Sequence, residues 1–387
     1  MFPNSTLADW EKLVEKQLKS EDIYNALSKP NLEGITVKPI YDTVANTVSI
    51  LPRVEENMVL VADYNEDLAD DVYGILLKEN ASGFEGKNIY INNKDLAEHI
   101  SPEESNKYYA LVDVFDTETG TLNQQLVQEL LAKDFDRNIG VDISVYQNAG
   151  ASLVQQLAFA LLKAKELADN FGGEVLNKIT FKVAVGANYF FEVAKIRTLK
   201  LLFNQLSREY NLDLIPYIFA ESTLRNKTII DEENNLIRST LELASAMVAG
   251  ADAVFSSDFK INEATALSKE IAFKQLIVLA YESIVNVFED AANGSYYVED
   301  ITNQLADKAW TLFVELEEKG GFSEASKNST ISNLIFEHAT AEQTWVEEGK
   351  IKLVGVNIYP KLEAKKSVSE MYTTSKIKAV RWAEMYE

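Results

Sequence analysis

The sequence predicts an α/β protein with a parallel sheet whose strands are buried on both faces. Short β-rich runs are apolar nearly throughout, as in "NMVLVADY" (57–64) and "ITFKVAVGA" (179–187), and such runs are typical of parallel strands that helices cover. The segments between the runs carry apolar residues at helical spacing, so we interpret them as crossover helices. This alternation continues over about 200 residues and favours a (β/α)₈ TIM barrel over a doubly wound sheet, although periodicity cannot show whether the sheet closes.

The elements follow in order along the chain. A helical segment over 9–28 precedes the first strand. Strands are predicted at 57–64, 108–115, 141–146, 179–187, 212–220 and 251–257, because each run is rich in β-branched and aromatic residues. Helical stripes are formed by Leu153, Leu157, Leu161 and Ala164, and by Phe191, Ala194, Thr198 and Leu201. We therefore divide the chain into an N-terminal arm (1–45), a barrel domain (46–324) and a helical C-terminal extension (325–387).

Composition excludes several classes of function. The chain has 387 residues, 47% of them hydrophobic, which suffices for a large core. Acidic residues outnumber basic ones by 60 to 37, for a formal charge of −23, so the surface should repel nucleic acid and anionic membranes. The absence of cysteine excludes disulfides and thiolate sites and suits a reducing cytosol. With neither a leader pattern nor a long apolar run, we expect a cytoplasmic protein without nucleic-acid or membrane partners.

Few groups in the sequence point to a metal or a nucleophile. The two histidines, His99 and His338, lie in charged helical contexts and are expected to be surface or helix-packing residues. The chain contains no "HExxH", P-loop or "GxGxxG" motif and no convincing nucleophile elbow. We therefore expect no metal site and no nucleotide site.

Carboxylates near the ends of predicted strands are the remaining candidates for chemistry. In a barrel, this edge of the sheet is where active sites are built, so an acid–base pair is conceivable there. The ordinary alternative is that polar residues gather at the ends of every buried strand. The candidates are Asp63, Asp113, Asp116, Glu192 and Glu221.

Six segments, in order, resemble the adenosylcobalamin-dependent acyl-CoA mutases, and in particular the methylmalonyl-CoA mutase family. They are "WEKLVEKQLKSEDIYNALSKPNLEGITVKPIY", "NAGASLVQQLAFALLKAKEL", "GANYFFEVAKIRTLKLLF", "IIDEENNLIRSTLELASAMVAGADAVF", "NGSYYVEDITNQLADKAWTLFVELEEKGG" and "LVGVNIYP". The resemblance implies a (β/α)₈ barrel. It also implies that the N-terminal arm contacts a neighbouring subunit.

The chain departs from the catalytic members where they carry their chemistry. Their segment similar to "RPWTIRQY", which closes over acyl-CoA, is replaced by "YDTVANTVSILPRVEENMVL". Their "YH-x-x-EAGA" motif has a histidine beside the migrating group, but alignment on "AGA" places Val145 there and Asn148 in place of the glutamate. Valine can neither donate a proton nor form a hydrogen bond through its side chain. The cobalt-ligating "DxHxxG" motif of the family is not found, and fewer than 30 residues follow "LVGVNIYP".

The resemblance and these departures together predict a non-catalytic small subunit of a heterodimeric mutase of this family. The large subunit would then bind adenosylcobalamin and isomerise methylmalonyl-CoA and succinyl-CoA, while this chain binds no cofactor and contributes no catalytic residue. Val145, Tyr146, Gln147 and Asn148 are where a vestigial pocket is expected. Two alternatives stay open: an active barrel whose cobalamin domain is on another chain, and a cofactor-free barrel enzyme using Asp113, Glu192 or Glu221.

Overall fold

A computed structural model of the chain describes residues 5–43, 52–64, 72–116 and 118–387. Its centre is one sheet of eight parallel strands, three to seven residues long. The strands are β1 (Val59–Asp63), β2 (Gly74–Leu77), β3 (Asn88–Ile91), β4 (Lys107–Ala110), β5 (Ile139–Asp142), β6 (Ile179–Val185), β7 (Tyr217–Ser222) and β8 (Ala253–Phe255). The boundary predicted between arm and barrel, at 45–46, lies outside the described residues.

The sheet closes into a barrel, which confirms the predicted (β/α)₈ architecture. The strand order is β4-β3-β2-β1-β8-β7-β6-β5, so β4 and β5 are its two edges. These edges meet through main-chain hydrogen bonds, from Ala110 N–H to Arg137 O (2.8 Å) and from Gly140 N–H to Val112 O (3.0 Å). Two isolated parallel bridges, Tyr109–Arg137 and Asp113–Gly140, join the same two edges of the sheet. We call this junction between β4 and β5 the seam. Closure removes the unpaired edges that an open sheet would expose.

Helices surround the barrel and supply most crossovers. Their bounds are α1 (Leu7–Leu18), α2 (Ile23–Leu27), α3 (Lys94–His99), α4 (Gln124–Leu131), α5 (Ser144–Ala149), α6 (Leu153–Phe171), α7 (Tyr189–Glu209), α8 (Glu233–Val248), α9 (Ala266–Ile277), α10 (Tyr296–Glu317), α11 (Gly321–Lys327), α12 (Thr330–Glu347) and α13 (Val368–Met371). Within the described residues, no helix is long and apolar enough to cross a bilayer.

The strands and the C-terminal extension differ from the predictions in detail. β2 and β3, of four residues each, were not predicted. The strand predicted over 141–146 ends at Asp142, and the prediction is wrong for Ser144–Tyr146, which begin α5. The extension over 325–387 is helical as far as Glu347; beyond it, the regular structure consists of α13 and single-turn segments.

Aromatic side chains fill the barrel along its axis. Tyr90, Tyr109 and Tyr217 stack on one another, with ring centroids 5.0 Å and 4.7 Å apart, and the hydroxyl groups of Tyr90 and Tyr217 are 2.7 Å apart. Phe219 and Phe255 continue this cluster towards the carboxyl ends of the strands. The interior is therefore a packed core, as in most barrels of eight strands.

An ionic layer lies above the aromatic rings. Lys182, on β6, places its ammonium 3.2 Å from Asp142 Oδ2 on β5 and 3.0 Å from Glu221 Oε1 on β7. The same ammonium is 3.3 Å from Ser144 Oγ. Three neighbouring strands are thus joined across the top of the axis by one buried cation.

Candidate functional site

A cavity of about 420 Å³ opens beside the carboxyl ends of β5, β6 and β7. Gln147, Gly186 and Thr223 line it from the segments that follow these three strands. Its outer wall comes from the N-terminal arm, from α12 and from the last residues of the chain. In TIM barrels the functional site is built at this end of the strands, so the cavity is the candidate site of this molecule.

A buried lysine, Lys195, contacts two side chains that line the cavity, Gln147 and Glu192. Lys195 lies on α7 and is 1% exposed. Its ammonium contacts Gln147 Oε1 at 2.6 Å, Ala184 O at 2.6 Å and Glu192 Oε2 at 2.5 Å. A Cβ at Gly186 would lie 2.8 Å from both Gln147 Nε2 and Glu192 Oε1, so glycine permits this close packing. Because its charge is neutralised by these partners, Lys195 is suited to hold Gln147 and Glu192 in place rather than to act as a nucleophile.

A second buried ion pair forms the wall towards the C-terminal segment. Arg225 donates to Glu342 Oε2 from Nε (2.9 Å) and Nη2 (2.7 Å). The same carboxylate oxygen accepts from Trp382 Nε1 at 3.0 Å, and Arg225 Nη1 donates to Val380 O at 2.5 Å. The last residues of the chain are therefore fastened to the loop that follows β7.

The N-terminal arm reaches the cavity through Glu33. Its carboxylate accepts the N–H groups of Leu153 (2.8 Å) and Val154 (3.2 Å), in the first turn of α6. A carboxylate at this position satisfies helix N–H groups and complements the helix dipole. Burial raises the pKa of Glu33, while the charge of His338 and the two N–H groups oppose this rise. His338 Nδ1 is itself 2.7 Å from Gly150 O.

The structure places the four residues predicted for a vestigial pocket on α5, with different surroundings. Gln147 lines the cavity, whereas Val145 packs against the hydrophobic core. Tyr146 faces Phe159 and Phe322, and the Lys163 ammonium lies 4.8 Å from its ring centroid. Asn148 Oδ1 accepts from Thr223 Oγ1 and from Leu224 N–H, both at 2.9 Å. α5 is therefore held by packing and by hydrogen bonds on several sides.

The predicted strand-end carboxylates are not gathered into one site. Four of the five contact a lysine ammonium, and each has a different lysine as its nearest partner. The pairs are Asp63 with Lys78 (2.7 Å), Asp113 with Lys163 (2.5 Å), Glu192 with Lys195 (2.5 Å) and Glu221 with Lys182 (3.0 Å). Asp116 instead accepts N–H groups in its own exposed turn. Four of the carboxylates are thus separate ion-pair partners of four different lysines, an arrangement that suits structural ion pairs better than one acid–base site.

The two histidines lie far apart in sequence and differ in exposure. His99 is exposed at the end of α3, where Nδ1 is 2.7 Å from Asp95 O. His338 lines the cavity, but its Nε2 is buried without a hydrogen-bond partner among the described residues. Of the two, His338 alone is part of the candidate site.

Of the charged residues in and next to the cavity, sequence reasoning singled out Glu192 and His338 and missed the others. Glu33, Lys195, Arg225 and Glu342 were not singled out, because each lies in an ordinary amphipathic or charged stretch. A usable signal was present for Lys195: together with Glu192, three positions earlier, it interrupts the apolar face of a predicted crossover helix. Charges at such positions are expected to pair with each other.

Comparison with known proteins places the site within a family domain. The family model of methylmalonyl-CoA mutase matches residues 132–386, which include β5–β8 and the cavity except for its arm residues. The methylmalonyl-CoA mutase of Rhizobium meliloti (strain 1021) is 34% identical over 251 residues, covering 60% of this chain and 34% of the relative.

Several curated relatives are named as small subunits. The methylmalonyl-CoA mutase small subunit of Porphyromonas gingivalis is 30% identical over 237 residues, or 58% of this chain and 38% of the relative. That of Propionibacterium freudenreichii subsp. shermanii is 30% identical over 213 residues, or 51% and 33%. The aligned part thus spans between a third and two fifths of the length of these relatives. From its barrel, its cavity and the match over residues 132–386, the chain belongs to the methylmalonyl-CoA mutase family.

Proposed function

We propose that this chain is the non-catalytic small subunit of a heterodimeric methylmalonyl-CoA mutase. The large subunit would bind adenosylcobalamin and carry out the radical interconversion of methylmalonyl-CoA and succinyl-CoA. Relatives named as small subunits support this assignment. In the assembly, the barrel of this chain serves pairing and stability, as an inactive homologue can preserve a pseudo-symmetric interface.

The observation that carries the proposal is the environment of α5. At the position where the catalytic members that the chain resembles have a histidine, Val145 packs its hydrocarbon side chain against the core. Its neighbour Gln147 accepts a hydrogen bond from the Lys195 ammonium, and Asn148 holds the loop after β7. Neither the hydrocarbon side chain of Val145 nor these two amide side chains can act as an acid or base towards a thioester substrate.

The filled barrel axis also supports a role without substrate. Tyr90 and Tyr217 are fully buried, and Phe219 lies beside them. The ion pairs of Lys182 cover these rings on the side of the candidate site. An acyl-CoA thioester would have to displace both layers to pass along the axis, and interiors packed at this density resist such displacement.

The candidate cavity presents no accessible imidazole nitrogen to the cobalt of a cobalamin. His338, the histidine at its wall, has Nε2 buried among protein atoms and Nδ1 engaged by Gly150 O. A lower ligand to cobalt needs an imidazole nitrogen that is free and accessible, so the proposal assigns the cofactor to the large subunit.

Reconstitution with the large subunit tests the proposal. The purified chain should not isomerise methylmalonyl-CoA, with or without adenosylcobalamin, and titration followed by absorbance should detect no stoichiometric cobalamin binding. The two subunits together should co-elute as a one-to-one complex whose cobalamin content equals that of the large subunit. Turnover by this chain with added cobalamin, or with a separate cobalamin-domain chain, would instead establish an active barrel.

A further inference from the structure

The outward face of α8 is apolar where a solvent-facing barrel helix is ordinarily polar. Ile237 and Leu241, one turn apart on that face, are 62% and 59% exposed. The inward face of the same helix is already packed, since Leu243, Ala246 and Met247 are fully buried. The apolar residues on the outer face therefore do not contribute to the core of the barrel.

The apolar surface continues onto α9 and the chain that follows it. Gln275 Nε2, on α9, donates to Leu236 O (2.6 Å) and Thr240 Oγ1 (2.8 Å), which holds the two helices side by side. Beyond α9 a single π-helical turn, Val278–Glu282, leads into an exposed segment that returns to α8, where Ala291 N–H donates to Val248 O. We define the α8–α9 patch by its exposed members: Ile237, Leu241, Val278, Tyr281, Ile284, Val287 and Phe288.

One member of the α8–α9 patch is held in a strained conformation. Ile284 has a φ of 56°, a left-handed value that is strained for a β-branched residue. Val285 N–H donates to Leu279 O, and the Arg53 guanidinium binds the carbonyl oxygens of Asn286 and Phe288. These contacts fix the backbone so that the side chains of Ile284 and Phe288 stand exposed rather than turning into the core.

The α8–α9 patch is large for an exposed apolar surface. Its seven residues are between 43% and 71% exposed, which amounts to roughly 700 Å² of mostly apolar residue surface, against about 300–600 Å² for the largest apolar patch of a typical monomer. A stable protein–protein interface needs about 800 Å² on each partner. The α8–α9 patch and a modest polar rim around it would together reach this area.

We infer that the α8–α9 patch is the surface on which the large mutase subunit docks, and this inference rests on the proposed function. A homologous barrel offers matching outer helices, so the two can pack about a pseudo-two-fold axis. The formal charge of −23 on the chain disfavours a second copy of itself and an anionic lipid surface as occupants. An uncharged, apolar helical face on the homologous large subunit would match the shape of the patch and would avoid this charge repulsion.

Charge substitutions in the patch test the inference. The double variant Ile237→Glu/Leu241→Glu should keep the melting temperature of the chain, because both side chains are exposed, and should weaken binding to the purified large subunit at least about 100-fold. Val314→Glu is the matched control. Val314 is an exposed apolar helix residue on α10, which packs on α6 and α7 away from the patch. This control should bind like the unmodified chain.

The outcomes separate the inference from the proposed function. If the unmodified chain does not bind the large subunit, the proposed function fails and the inference falls with it. Equal binding by the unmodified chain and the double variant would overturn the inference alone. A homodimer of this chain that the double variant dissociates would also overturn it, in favour of a second copy. Should the double variant misfold, the same binding measurement is made with Tyr281→Glu/Phe288→Glu. These two residues lie in the exposed turn and segment beyond α9.

Discussion

Lys200 is buried at the end of the barrel opposite to the candidate site. It is 2% exposed, and its ammonium donates to Gly250 O at 2.8 Å. Burial lowers the pKa of Lys200 from 10.5 to about 8, although the charges of Asp252 and Asp290 oppose this shift. The folded chain therefore releases this proton at a lower pH than the unfolded chain does.

This shift predicts a rise in stability under alkaline conditions. Between about pH 8 and 10.5 the unfolded state holds the Lys200 proton and the folded state does not, so the free energy of unfolding increases with pH, by roughly 3 kcal/mol at most. Lys200→Met should remove this rise. Urea unfolding of both proteins at about pH 7.5 and about pH 9.5 measures it, and the same pH dependence in both would contradict the assignment.

At the scale of residues, the sequence shows which chemical group a side chain carries, but it predicts the contacts of that side chain less well. The absence of a proton donor at Val145 can be read directly from its side chain. The partners of Lys195 outside its own helix cannot, because Gln147 and Ala184 come from α5 and β6, which the fold brings next to α7. The same holds for Glu33, which caps a helix 120 residues away.

The seam between β4 and β5 has the sparsest main-chain pairing of the barrel wall. β4 and β5 are joined by isolated bridges and a few hydrogen bonds instead of a continuous ladder. Gly140 lies at this seam, and a Cβ there would be 2.4 Å from Leu111 C and 2.6 Å from Val112 O. Both atoms belong to the main chain, so the clash cannot be relieved by turning a side chain.

Gly140→Ala should accordingly lower the free energy of unfolding by about 2–3 kcal/mol, because the main chain of the seam must move apart. Gly83→Ala is the control: Gly83 has a φ of 87° and open space around it, so its substitution should cost only about 1 kcal/mol, for the left-handed backbone. Chemical denaturation of the two variants measures the difference. Equal losses would show that the seam has room for a methyl group.

At the scale of elements, the long apolar strands and crossover helices were predicted because their patterns extend over many residues. The misassigned part of β5 has a local cause. Asp142 Oδ1 accepts from Ser144 N–H (2.8 Å) and Ser144 Oγ (2.6 Å), which ends the strand in a turn despite the β-branched residues that follow. The "D-x-S" spacing was a signal for this turn. Closure of the sheet has no such local signal, since it depends on contacts between β4 and β5.

The N-terminal arm has two parts, and only one is fastened to its own barrel. Residues from Asn31 onward are anchored, with Ile35 1% exposed and the Lys38 ammonium 3.3 Å from Asp300 Oδ1. α1 has no buried residue and contacts α2, where the Trp10 and Tyr24 rings are 6.4 Å apart. The apolar face of α1 therefore remains available for a partner.

Deletion of residues 1–20, which removes α1 and keeps the buried Ile23 of α2, tests this division of the arm. The truncated chain should melt within about 2 °C of the full chain, because the anchored part remains, and should bind the large subunit at least about tenfold more weakly. Glu33→Ala in the full chain is the complementary control: it should reduce stability by about 1 kcal/mol through loss of the α6 cap while retaining α1. Unchanged affinity after truncation would confine pairing to the barrel surface.

The stacked tyrosines of the barrel axis give the molecule an internal optical probe. Burial raises the pKa of Tyr90 and Tyr217 well above its usual value, and that of Tyr109 rises as well. These phenols should remain neutral in alkali that ionises the exposed tyrosines, and ionise only when the barrel opens. Near-ultraviolet absorbance in alkaline solution can therefore follow the unfolding of the barrel itself over time. It needs no added label, and it does not respond to detachment of the N-terminal arm.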